Sequence, residues 1–288
     1  MSVTERLANL SIPSVLVIVA VLVALRFLML RQRTPFARSV AEIAESLAIA
    51  MALVFLLIRP FIVQTFFIPS ESMVPTLLVR DHILVNKLVF RFSEPKRGDV
   101  VVFKSPPQAN SDGTEKDFIK RVIAVSGDRV RITPGYVQAG NHRYGHGELS
   151  VALAKRGERG SIRLVDGAVM MNGRRLSAAQ IAARVGSPPH KVSIVPGKVI
   201  VNGKPLDEPY VAEDPDQPYP SNSTPPHWVE IGDDGEPVVR IPSGKLLVMG
   251  DNRNDSNDSR VWGLLDRDRV VGKAMVRFWP LGRLGLVR

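Results

Sequence analysis

The sequence predicts a mainly β domain preceded by two membrane-spanning helices. Three observations carry that prediction. Apolar residues concentrate in the first 70 positions, in runs long enough to cross a bilayer. Beyond them the chain breaks into short β-branched runs with Gly, Pro or Asp near their ends. Strong helical periodicity is largely absent from that part, apart from a short helix expected over 178–185.

The bulk properties narrow the function. A chain of 288 residues has room for one or two domains and a sizeable core. The formal net charge is +10, but Lys and Arg are scattered and form no dense run. No recognition-helix, zinc-finger or RNA-binding signature accompanies the charge, so no nucleic-acid partner is expected. In a membrane protein a basic balance favours anionic lipid headgroups instead. The sequence has no cysteine, which removes disulfides, thiolate chemistry and Cys-ligated zinc together. It permits an extracytoplasmic location.

Residues 1–11 form a polar tail whose single basic residue is Arg6. Residues 12–30 are almost wholly apolar and predict the first transmembrane helix, with Arg26 near its end, able to snorkel to the interface. A cleaved signal peptide fits poorly, because no further basic residue precedes the run and no A-x-A site closes it. Residues 31–42 read as a linker carrying Arg31, Arg33 and Arg38. Residues 43–63 predict the second transmembrane helix. Its flanks bring in Glu45 and Arg59, and Arg59-Pro60 marks the exit. The positive-inside rule then makes the linker cytoplasmic and the domain beyond Phe66 extracytoplasmic.

Within that domain, β runs are expected at 81–90, 98–103 and 118–125. Residues 165–176 and 195–206 repeat one another, each ending in Asn-Gly and so predicting two similar hairpins. Residues 205–226 are Pro-rich and read as an extended loop. Trp262 and Trp279 are expected as core or rim aromatics.

Three stretches carry chemistry. The first, 68–77, holds Ser70 and Ser72 between Pro69 and Pro75. On a strand, positions i and i+2 share a face, so one hydroxyl can attack a carbonyl while the other holds its oxygen. The second, 116–128, places Lys120 in an apolar strand pattern with Phe118, Ile119, Val122 and Ile123. A lysine acts as a base only when neutral, and desolvation can lower its pKa by about 3–5 units. Arginine cannot replace it. The third, 250–260, is dense in short polar residues and reads as a tight hydrogen-bonded loop. A calcium loop fails at Arg253, at Ser256 where a glycine belongs, and at Trp262 where a glutamate belongs. His82, His142, His146, His190 and His227 lie in unrelated contexts, and no G-x-S-x-G supports a Ser-His-Asp site.

With these stretches in order, the chain resembles the bacterial type I signal peptidases, membrane-bound leader peptidases. Residues 70–77 look like the family's nucleophile box, 97–104 like its next strand box, 120–128 like its lysine box and 250–260 like its last box. The resemblance covers 43–130 and 195–288. It implies a β-rich catalytic core formed by 64–130 and 191–288, with 131–190 as an insertion of unassigned role.

The resemblance further implies that Ser72 is the nucleophile and neutral Lys120 the general base. Ser70 and the Ser72 amide would be the oxyanion donors. Ser256 would orient the Lys120 amine, and Asp258 would pair with Arg260, with Asp251 in the same network. Phe66, Ile68, Met73, Leu77, Phe118 and Ile119 would line pockets selecting Ala-x-Ala-like sites. The substrate, a preprotein bearing a signal peptide, would lie extended between 66–68 and 117–119. No cofactor or metal is implied. The implied location is the bacterial cytoplasmic membrane, multi-pass, with the catalytic domain outside. The competing readings are a soluble Ser/Lys autoprotease, a peptidase of this fold dedicated to one exported substrate, and an inactive membrane scaffold.

Overall fold

The computed structural model describes residues 11–32, 34–58, 62–154 and 161–288. The expectations for Arg6, Arg33 and Arg59-Pro60 lie outside these residues. Helix α1 spans Ile12–Leu30, and its N-cap Ser11 accepts from Ser14 N. Helix α2 spans Pro35–Ala52 and continues as a wider helical turn over Leu53–Ile58. It starts ahead of the expected residue 43 because Thr34 caps it, accepting from Ala37 N, and Pro35 suits a first helical turn. Both helices are long and apolar enough to cross a membrane. Ala37, Ala41, Ala44 and Ala48 form a buried face on α2, a spacing of small residues that lets two helices approach closely. Arg26 of α1 meets Glu45 of α2 at 3.0 Å.

Strand β1 (Val63–Phe67) follows, then β2 (His82–Asn86), helix α3 (Val89–Phe92), β3 (Val100–Lys104) and β4 (Asp117–Ala124). Next come β5 (Arg129–Thr133), β6 (Tyr136–Ala139), β7 (His142–Gly145), α4 (His146–Ala154), β8 (Ile162–Val165), β9 (Ala168–Met171) and β10 (Arg174–Arg175). Helix α5 (Ala178–Val185) has the expected limits, set by a Ser177–Gln180 capping box and a left-handed Gly186. Then follow β11 (Val192–Val195), β12 (Lys198–Val201), β13 (Lys204–Pro205), β14 (Val229–Ile231), β15 (Pro237–Arg240) and β16 (Lys245–Met249). The chain ends with α6 (Ser259–Trp262), β17 (Leu265–Asp266), β18 (Val270–Trp279) and β19 (Gly285–Leu286).

The principal sheet has the order β1-β2-β18-β3-β4-β16-β17, with β19 on β18. A second sheet, β13-β12-β5-β15-β14, shares with it a core built from Ile123, Val130, Ile132, Val199, Val239, Leu247 and Met249. The 131–190 region, joined by β11 just beyond it, builds small sheets, β10-β9-β8 and β11-β6-β7, around a core that includes Val137, Leu149, Leu164, Val169 and Ile181. Both repeat copies are hairpins. Asn172 and Asn202 (φ 50° and 52°) and the glycines after them take the left-handed turn that Asn-Gly predicts. The Pro-rich 205–226 segment is largely irregular, yet it buries Glu213 and Asp214. Asp214 accepts from Asp166 N and Gly197 N, one in each copy of the repeat, and so fastens the two hairpins together. Trp262 is in the core, and Trp279 lies half exposed at the rim.

Candidate active site

Ser72 lies in a turn after β1, not on a strand. Val74 N donates to Glu71 O at 3.0 Å and Leu77 N to Met73 O at 2.9 Å. The expected strand over Ser70 and Ser72 is thus replaced, since Pro69 and Pro75 each lack a ladder donor. Buried Met73 and Leu77 anchor the turn, each side chain contributing roughly 1.5–3 kcal/mol. The two serine hydroxyls still approach to 3.4 Å, with Ser70 on the exposed side.

Strand β4 delivers Lys120 to Ser72. Its register on β3 sets Lys120 opposite Val101, on a face shared with Phe103, Phe118 and Val122. The Lys120 Nζ donates to Ser72 Oγ at 2.7 Å, and the two residues are only 5% and 7% exposed. Burial pushes the Lys120 pKa down from 10.5 to about 8, with Arg260 adding to the fall, against the pull of Asp258 and Asp251. About one such amine in ten is then neutral at pH 7, against one in a few thousand for a free lysine. The neutral amine can reverse the hydrogen bond and accept the serine proton.

The 250–260 loop stands behind this pair. Burial alone would raise the Asp258 pKa. The Arg260 guanidinium, held at 2.9 and 2.8 Å, and the Gly250 N–H outweigh that and hold it below the usual carboxylate range. Asp251 does not join that ion pair. It accepts two hydrogen bonds from Arg121, at 2.8 and 2.7 Å, and one from Thr76 Oγ1 at 2.6 Å. Loop backbone links the two pairs: Arg260 donates to Arg253 O and Gly250 N to Asp258. Ser256 Oγ is buried beside Asp258 and makes no well-formed hydrogen bond, to Lys120 or otherwise, among the described residues. A Cβ at Gly250 would overlap both Ser256 Oγ and the Ser72 carbonyl, so only glycine lets the loop come this close.

Sequence reasoning missed several residues here. Asn252 N donates to Ser72 O at 3.1 Å, tying the loop to the serine turn. Arg121, 1% exposed, also reaches Gly98 O and the Arg288 carbonyl and stacks 3.8 Å above the Tyr210 ring. Arg253 pairs with Glu208, and Asn254 bonds the backbone of Asp214 and Asp216. The one available signal was a charged residue in an apolar strand at 121, directly after the lysine.

Of the expected pocket residues, Phe66, Ile68, Met73, Leu77 and Ile119 pack in one cluster. Phe118 lies on the opposite face of β4 with Phe103 and Trp262, as strand alternation requires. Among the described strands β1 pairs only with β2, and β16 joins β4 only from Arg121 onward. Two backbone edges near Ser72 are therefore unpaired and able to take up an extended peptide. Among the described residues no His, Asp or Glu cluster is placed to hold a metal ion.

A model of the family described as "Signal peptidase, peptidase S26" matches residues 40–160 and 181–279. The chain belongs to this family. The match runs on through 131–160, so the stretch that interrupts it is 161–180, narrower than the insertion expected from the boxes. The chain is 35% identical to the signal peptidase I of Aquifex aeolicus over 252 residues, 83% of each chain. It is 30% identical to a probable signal peptidase I-1 of Synechocystis, covering 88% of this chain and 91% of the relative. It is 28% identical to the signal peptidase I of Leptolyngbya laminosa, covering 88% and 84%. The signal peptidase family thus accounts for the boxes that surround Ser72, Lys120 and the 250–260 loop.

Proposed function

We propose that this chain is a membrane serine endopeptidase that removes N-terminal signal peptides from exported preproteins after Ala-x-Ala-like sites. The observation that carries the reading is the buried 2.7 Å contact between Lys120 Nζ and Ser72 Oγ. Neutral Lys120 takes the Ser72 proton as Oγ attacks the scissile carbonyl carbon. The Ser70 hydroxyl and the Ser72 amide hold the resulting oxyanion, and one such donor is typically worth about 10²–10³ in rate. The protonated amine gives its proton to the leaving amine as the C–N bond breaks. Lys120 then takes a proton from water, which attacks the serine ester and frees Ser72.

Asp258, Asp251 and Arg260 set the electrostatics of the amine. Phe66, Ile68, Met73, Leu77 and Ile119 shape small apolar pockets, with Phe118 covering Lys120. The family is membrane-anchored, and α1 and α2 serve as the anchors. In this reading the chain crosses the cytoplasmic membrane twice with its β domain outside. Exposed Phe67, Trp279, Leu281 and Leu284 support a domain resting on the bilayer.

The test uses the purified full chain in lipid vesicles with a preprotein carrying an Ala-x-Ala site. Wild type cleaves it at that site, whereas Ser72→Ala, Lys120→Ala and Lys120→Arg do not. Substantial activity in Lys120→Arg would reject a neutral-amine base. Protease added to the outer face of intact cytoplasmic-membrane vesicles should degrade residues beyond 66, and protection would reverse the topology.

A further inference from the structure

The face of α2 opposite its alanine seam is built unlike a lipid-facing surface. Ser39, Glu42, Ile43, Ser46, Leu47 and Ala50 recur there at helical spacing and line one shallow groove. Ser39 and Ser46 return their hydroxyls to the helix backbone. Glu42 has no such outlet. It is exposed, and among the described residues its carboxylate forms no ion pair and no hydrogen bond, not even with Arg38 one turn before it. Glu45, by contrast, is matched by Arg26. An acidic side chain facing hydrocarbon costs about 2.5–3.5 kcal/mol at mid-span and less toward the ends. A cation brought to Glu42 would offset that cost.

The topology proposed above, on which this inference rests, says which cation arrives there. α2 leads through Leu53–Ile58 toward β1, whose outer edge is unpaired. A substrate leaving the bilayer along that edge runs parallel to β1, so its N-terminal part enters the bilayer beside α2. The apolar core of a signal peptide is 7–15 residues, or roughly 10–23 Å as a helix, against about 30 Å of hydrocarbon. Its basic N-terminal flank is therefore drawn inside the inner interface. Glu42 sits about 10 Å along α2 from Pro35, at a matching depth.

We propose that this outward face of α2 is a docking site for the membrane-embedded half of the signal peptide, with Glu42 pairing with a basic residue of its N-terminal flank. The seryl positions let the two helices approach, and Ile43 and Leu47 contact the apolar core of the substrate.

The experiment uses the full chain in phosphatidylcholine vesicles, whose neutral surface removes lipid charge. The substrates are a preprotein with two lysines in the N-terminal flank, the same preprotein with two glutamines or two glutamates there, and a short soluble peptide spanning the cleavage site. Wild type should show a KM roughly three- to tenfold lower for the lysine form than for the glutamine form. Glu42→Gln should erase the difference, and Glu42→Lys should favour the glutamate form. A lysine preference that persists undiminished in Glu42→Gln overturns the proposal. The short peptide should be cleaved equally by wild type and Glu42→Gln. Unequal cleavage would assign Glu42 a structural role and also overturn docking. Failure of wild type to cleave the soluble peptide and every preprotein would instead overturn the proposed function.

Discussion

Arg253 and Glu208 form a two-contact ion pair, at 3.0 and 2.6 Å, with the guanidinium side chain wholly buried. Burial lowers the Arg253 pKa, and Glu208 more than restores it. The pair fastens the start of the 208–216 segment to the loop that carries Asp251 and Asp258. Ala212 N, which donates to Asp251 O at 3.0 Å, adds a second tie. Removing one partner leaves a buried charge uncompensated, which costs about 3–5 kcal/mol. Glu208→Ala is therefore expected to lower unfolding stability by that amount in denaturant titration. Glu208→Ala with Arg253→Met should recover most of it. A single-variant loss below about 1 kcal/mol would show that the pair contributes little.

This pair also shows where sequence reading stops. Local patterns, a Pro-flanked serine pair and a lysine among apolar strand residues, made Ser70, Ser72 and Lys120 candidates, and the roles of Ser72 and Lys120 came from the family resemblance. The hairpins at 172–173 and 202–203 and helix α5 were legible because Asn-Gly turns and a Ser177 cap act within a few residues. The partner of Arg253 lies 45 positions away and that of Arg121 lies 130 positions away. Nothing local selects Asp251 for Arg121 in place of the Asp258–Arg260 pair. The strand expected through Ser70 and Ser72 failed for a related reason. Tertiary burial of Met73 and Leu77, together with Asn252 bonding to Ser72 O, decides that backbone.

The pH dependence of cleavage follows from the lysine. Its folded pKa of about 8 means that the neutral base becomes tenfold scarcer for each pH unit below that value. In a pH–rate series kcat/KM is expected to climb about tenfold per unit from pH 6 to 7, then flatten above about 8. A flat profile across that window would place the essential proton elsewhere.

The same buried amine costs stability. A lysine pKa lowered from 10.5 to about 8 means that the unfolded chain binds more protons between those values. Folded stability therefore rises with pH through that window, and the full cost is present below about 8. Each pKa unit corresponds to about 1.4 kcal/mol, so Lys120→Met is expected to stabilise the fold at pH 7 by up to about 3 kcal/mol while abolishing cleavage. The gain should shrink toward pH 10 in denaturant titrations. A destabilised Lys120→Met would mean that the hydrogen bond to Ser72 outweighs the burial of the charge.

Asp258 has the opposite sign. Its carboxyl is held below the ordinary 3.8 by Arg260 and the Gly250 N–H against the effect of burial. Its stabilising contribution is complete above that unfolded value and is lost as pH falls through the lower folded one. Asp258→Asn should remove the contribution at neutral pH and flatten the acid limb of the stability curve. The variant should also let Lys120 titrate lower, because a carboxylate that favours the protonated amine is gone. A wild-type acid limb in Asp258→Asn would assign acid unfolding to other carboxylates.

Gly250 joins the loop to the serine turn with no room to spare. A methyl group there would meet Ser256 Oγ on one side and the Ser72 carbonyl on the other. The loop is also tied through Asn252 N to that same carbonyl, so it cannot withdraw without pulling on Ser72. Gly250→Ala must therefore displace Ser72 relative to Lys120, and a displacement near 1 Å can cost about a hundredfold in rate. The expected result is a kcat reduced about a hundredfold with a smaller change in KM, because Met73 and Leu77, buried at 0% exposure, hold the rest of the serine turn in the core. Circular dichroism should report an intact β domain. Near-normal kcat in Gly250→Ala would show that the loop can give way without moving Ser72, and that the close approach is not what sets the 2.7 Å contact.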